Sequence, residues 1–118
     1  MEYMLLIHAH DNGAADVPPA ALQQRLAAYG AYTEALNQAG IVRGSNRLRP
    51  AASATTVRVR EGATEVLDGP FIETREQLAG YYLIDVPDLD AALSWAARCP
   101  GASHGAVEVR PVWPRGES

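Results

Sequence analysis

The chain has 118 residues, enough for one compact domain and too few for two, since a full core takes roughly 100–150 residues. Hydrophobic residues make up 47% and charged ones 20%, a globular balance that excludes a disordered or fibrous chain. Fourteen acidic against ten basic residues leave a net charge of −4, which argues against nucleic acid as a partner; all ten basic residues are arginine, which excludes lysine bases and Schiff-base chemistry.

Tyr3 to Ala9 is a short, continuously apolar run that predicts a strand covered on both faces. It lacks a basic leader region and a cleavage site, and no apolar run approaches the roughly 18–20 residues of a bilayer span, so a cytoplasmic protein with no membrane contact is expected. Pro18-Pro19 opens a helix, because proline suits the first helical turn. Leu22, Leu26, Tyr29, Thr33 and Leu36 form its apolar stripe, and Gly40 ends it. Ile41 to Leu48 reads as extended, with Arg43 and Arg47 on one face.

Thr56-Val57-Arg58-Val59-Arg60 alternates, placing Val57 and Val59 inward and the arginines outward; Glu61-Gly62 turns the chain, and Thr64 to Leu67 returns as a hairpin. Asp68-Gly69-Pro70-Phe71 is a turn, and Glu73 to Gln77 suits a single helical turn. Tyr81 to Val86 is a strand with Tyr81, Leu83 and Asp85 on one face and Tyr82, Ile84 and Val86 on the other. Asp88 caps a second helix carrying Leu89, Ala92, Leu93 and Ala96, and Pro100-Gly101 stops it. A last strand runs from Val107 to Val112.

This order predicts a single α+β domain over residues 1–118, a ferredoxin-like sandwich with two helices on one face of an antiparallel sheet. Two helices leave the other sheet face bare although the first strand is apolar on both sides, so a homodimer is expected. Cys99 is the only cysteine, which rules out an intrachain disulfide; it reads as a buried structural thiol.

Tyr3-Met4-Leu5-Leu6-Ile7, Thr55-Thr56-Val57-Arg58, the block from Asp68-Gly69-Pro70-Phe71 through Glu73-Thr74-Arg75-Glu76-Gln77-Leu78 to Gly80-Tyr81-Tyr82, Ala96-Ala97-Arg98-Cys99-Pro100 and Val107-Glu108-Val109-Arg110-Pro111 together resemble the DGPF-type branch of the YCII-related proteins. The resemblance covers nearly the whole chain. It implies a ferredoxin-like fold paired through its sheets as a dimeric α+β barrel. Relatives include small-molecule enzymes such as dehydrochlorinases, and branch members that accompany extracytoplasmic-function sigma factors. Enzyme members carry a histidine near the start of the first helix, paired with an aspartate; this chain has Ala20-Ala21-Leu22 there, so Asp11 and Asp68 are the acids that match.

Asp68, held in a rigid turn, is the candidate general base, since a fixed and partly desolvated carboxylate has its pKa pushed toward neutrality. The plainer role for Asp68 is to cap its own loop. His8, oriented by Asp11 or Asp68, is a second acid/base candidate, and His10 shares its strand face. Two imidazoles without a designated third ligand do not make a metal site, and no nucleotide, flavin or haem signature is present, so no metal or cofactor is expected. Arg47 and Arg75 are candidate anchors for an anionic ligand, because a planar guanidinium grips carboxylate or phosphate in bidentate fashion; Arg43 and Arg49 cluster with Arg47. Glu73, Phe71 and Tyr81 complete the ligand-binding candidates, Phe71 also being suited to plug the core or an interface. The expected function is a dimer that binds a small anionic molecule, with acid/base chemistry of the elimination or isomerisation type that needs no cofactor. A binder without turnover, and a regulatory module partnering a sigma factor, are the alternatives.

Overall fold

The computed structural model describes residues 1–10 and 18–117. Strand β1 (Glu2–His10) leads to helix α1 (Pro19–Ala39), strand β2 (Val42–Arg47), a hairpin of β3 (Thr55–Arg60) and β4 (Ala63–Asp68), strand β5 (Glu76–Asp85), helix α2 (Leu89–Arg98) and strand β6 (Ala106–Pro111). Four strands form one antiparallel sheet in the order β2-β5-β1-β6, and β3-β4 is a separate two-stranded sheet. Both helices lie on one sheet face, the ferredoxin-like arrangement expected. Among the described residues no helix is long and apolar enough to cross a membrane.

Strand alternation divides the sheet into two unlike faces. Tyr3, Leu5 and Ile7 of β1 and Tyr82, Ile84 and Val86 at β5 are buried beneath the helices, against Leu36 of α1 and Ala92 and Ala96 of α2. Tyr32 occupies the centre: its ring meets Tyr82 edge-on at 5.3 Å and Trp95 at 6.3 Å, and its hydroxyl donates to the Trp95 carbonyl at 2.7 Å. On the opposite face Met4, Leu6, Tyr81 and Leu83 are only half-buried. Polar pairs rim them: His8 with Glu108 at 3.1 Å, Arg43 with Asp85 at 3.6 Å, and Asn46 donating to the Tyr81 hydroxyl at 2.8 Å.

Four local expectations are corrected. In α1 the buried residues are Tyr32 and Leu36, while Leu26 is exposed, because the first half of the helix spans a cavity instead of the core. Arg43 and Arg47 do not act together: the register slips between Val42 and Gly44, a bulge that re-aims the side chain, and Arg43 joins Asp85. Glu73 to Gln77 is not helical. The Gln77 amide donates to the carbonyls of Ile72 and Thr74, and the Thr74 hydroxyl to that of Glu76, so side chains take the bonds a helical backbone would make. Val57 and Val59 are exposed rather than inward, since the hairpin stands apart from the main sheet.

Burial pushes the hydroxyls of Tyr29, Tyr32 and Tyr82 and the Cys99 thiol above their ordinary values. Each group holds its proton more tightly folded than unfolded, so its contribution is fully present below the unfolded pKa and is lost as pH rises past it. Urea midpoints should therefore hold steady through neutral pH and fall above about pH 9, with ionisation of Tyr29, Tyr32 and Tyr82 appearing together with unfolding. Full ionisation of these three before the fold is lost would contradict this.

Candidate functional site

A cavity of about 830 Å³ lies between the first half of α1 and the ends of β1, β2 and β5. The chain enters it from several directions. Arg25 comes from α1, Arg47 from the last position of β2, and Arg49 from the segment beyond; His10 ends β1, and His104 follows the short turn Pro100–Ser103 after α2. Tyr29 and Tyr82 line it from the helix-covered side, and Tyr81, whose side chain lies on the open face, also borders it. Among the described residues that line the cavity there is no aspartate or glutamate. A chain of net charge −4 thus gathers three arginines around one concavity, and the described residues that line it include no carboxylate. A smaller adjoining hollow of about 340 Å³ is bordered by the same two imidazoles with Arg75 and Glu76.

Close backbone approaches set this geometry. Gly80 lies opposite Arg47, and a Cβ there would stand 2.8 Å from the Asn46 carbonyl oxygen, so β2 can run past β5 at this height only over a glycine. Gly105, next to His104, is pressed against β1: a Cβ would run into the His8 carbonyl oxygen. That contact fixes the His104 loop beside the end of the strand that carries His10. On the helical side the Thr33 hydroxyl and the Tyr82 hydroxyl are 2.8 Å apart, which ties α1 to the sheet next to the cavity. Desolvation pushes the Tyr29 and Tyr82 hydroxyls above the ordinary phenol value.

The sequence candidates separate. His10, Arg47 and Tyr81 line the cavity, and Arg75 borders the adjoining hollow. His8 turns to the open sheet face, where Glu108 holds it, and does not line the cavity. Asp68 is exposed at the end of β4, opposite Thr55, on a different sheet from His8; Glu73 is exposed in the loop before β5. Phe71 is exposed beneath the Arg58 guanidinium, 4.9 Å from its ring centre, and plugs no core within this chain. Asp11 lies outside the described residues. Arg25 is not among the sequence candidates, and His104, one of the three histidines that could do acid/base work, is given no place in the fold by the sequence. Arg25 carried a signal: it lies three residues after Leu22 and four before Tyr29, a charge on the face of α1 that holds those apolar side chains. His104, in a Gly/Ser-rich loop, carried none.

Comparison with known proteins adds the following. The model of the family described as YCII-related domain matches residues 1–115. An uncharacterized protein of Rhizobium meliloti (strain 1021) is 52% identical over 68 residues, 56% of this chain and 55% of that protein, so the match spans about half the length of the curated relative. Among solved structures, the 5-chloro-2-hydroxyhydroquinone dehydrochlorinase TftG of Burkholderia phenoliruptrix AC1100, in complex with 2,5-dihydroxybenzoquinone, superposes with a TM-score of 0.51 at 16% identity. The superposition covers 98% of this chain and 96% of that one. At that identity the likeness is one of fold.

Proposed function

The chain belongs to the YCII-related domain family, and on that premise we propose that it is a homodimeric protein which binds a small, planar organic anion in the cavity under α1 and moves a proton on it. The observation that carries this reading is the gathering of Arg25, Arg47 and Arg49 with no opposing carboxylate among the described lining residues. Guanidinium forks suit carboxylates and ionised ring hydroxyls, and the tyrosine rings suit a flat body. The ligand in the TftG structure, a flat ring with ionisable hydroxyls, is of this chemical class.

His10 and His104 take the acid/base work in this reading, because they border the cavity from two separate segments while Asp68 and His8 do not. An imidazole ring can both take up and give back a proton. One removes a proton from the bound molecule while the other returns one to the departing group or to the product, as an elimination or isomerisation requires. The half-buried apolar centre and polar rim of the open sheet face are what a second copy of the chain would cover.

Calorimetric titration with benzoate, benzamide and 2,5-dihydroxybenzoquinone tests the binding step. The two anions should bind saturably and more weakly as salt is raised, and the neutral amide should not bind. Equal binding of benzoate and benzamide, or binding of neither anion, would sink the reading.

A further inference from the structure

The β3-β4 hairpin has two unlike faces. Its register sets Val57 opposite Val66 and Val59 opposite Thr64, which puts three valines on one side, with Thr55 and Asp68 paired at its open end; Arg58, Arg60 and Glu65 share the other with Leu67. A strand pair patterned in this way places its apolar side against a packing surface. Among the described residues of the same chain none covers it: Val57, Val66 and Val59 are 59%, 61% and 67% exposed, and every residue of β4 is exposed. The hairpin projects instead of folding back. The radius of gyration is 16.2 Å, against roughly 13.5 Å expected for a compact chain of this length. The molecule is also flat, 47 × 46 × 18 Å.

An isolated two-stranded hairpin is marginally stable in water, so this one needs a packing partner that is present whenever the protein is folded. A second copy of the same chain meets that condition. Area points the same way. At about 4.8 Å between strands and about 3.4 Å per residue, six residues across four strands make a footprint of only about 400 Å² for the open face of the main sheet. Corrugation raises what such a face buries, yet it remains at the low end against the roughly 800 Å² per partner of a stable interface. The valine face adds about half as much again by the same measure.

We infer that the valine face of the hairpin clasps a second copy of this chain and completes an interface that the open face of the four-stranded sheet begins. The inference rests on the homodimer reading of that sheet face. It does not depend on what the cavity binds.

The test uses the full chain with Val59→Cys. Cys99 is 2% exposed, so a maleimide reports on the introduced thiol. Labelling should slow by about 10-fold or more as protein concentration rises through the dissociation constant found by sedimentation. The unlabelled V57D/V59D variant should weaken the dimer by about 100-fold while keeping its helical circular dichroism and its benzoate binding. A dimer whose introduced thiol labels at a concentration-independent rate overturns the clasp and leaves the sheet-face reading standing. A wild-type chain that is monomeric at every concentration overturns both. Benzoate binding is read in each case, so failure of the anion site shows separately.

Discussion

Arg47→Ala is expected to weaken benzoate binding by about 30-fold, some 2 kcal/mol, with little change in stability. Arg47 ends β2, opposite Gly80, and is exposed, so truncation leaves no buried group unpaired and no hole in the core. What is lost is a charge-assisted contact in a concavity that holds only two other guanidiniums among its described lining residues. Arg47→Lys should recover part of the affinity, because an ammonium keeps the charge and loses the planar fork. Arg43→Ala is the internal control. It lies four residues away, but the bulge in β2 turns its guanidinium to Asp85 on the opposite sheet face. If the Arg43 and Arg47 variants weaken binding equally, the effect is one of net charge and the cavity reading fails.

Gly105→Ala should lower stability by about 3 kcal/mol, seen as a fall in Tm of about 10–15 °C. Its Cβ would meet the backbone carbonyl of His8, which belongs to a central strand paired on both sides and cannot give way as a flexible side chain would. Relief must come from displacing the loop around His104, so benzoate binding should weaken in the fraction that stays folded. Gly30→Ala offers the contrast: nothing lies within 4 Å of a Cβ there, and in the middle of α1 alanine should stabilise by up to about 1 kcal/mol. A Gly105→Ala protein as stable as wild type would show that the loop does not bear on β1 as described.

The fold was legible because each element announced itself locally. Pro18-Pro19 and Gly40 bound α1, Asp88 caps α2 by accepting from the Ala91 amide at 2.9 Å, and alternation in Tyr81 to Val86 sorts the two sheet faces. The site was legible in part. Arg47 and His10 stand at strand ends and Tyr81 in the middle of β5, where chain order already limits their position, and all three line the cavity. His104 and Arg25 come from segments distant in sequence, and only packing brings them to β1 and β2. Asp68 stands out in the sequence because Asp-Gly-Pro is conspicuous as a turn; in the structure it ends β4, and the bonds beside it prolong the hairpin, the Gly69 amide donating to the Ala54 carbonyl at 2.7 Å and the Thr56 hydroxyl to the Gly69 carbonyl at 2.9 Å. The hairpin valines followed a correct amphipathic pattern, but a period of two says which residues want cover and not which molecule supplies it.

The bulge between Val42 and Gly44 has a consequence for how the protein stays in solution. β2 and β6 are the two outer strands of the main sheet, with outward rows of backbone donors and acceptors that could template further strands. The bulge distorts the first row and Pro111 removes a donor from the second, while Arg43, Arg47, Glu108 and Arg110 add charge along both. Lateral growth of the main sheet into a fibril is thereby blocked at both ends. On its valine side the hairpin has one such guard, Asp68 at its open end, which makes it the segment from which aggregation would start in any chain that loses its cover.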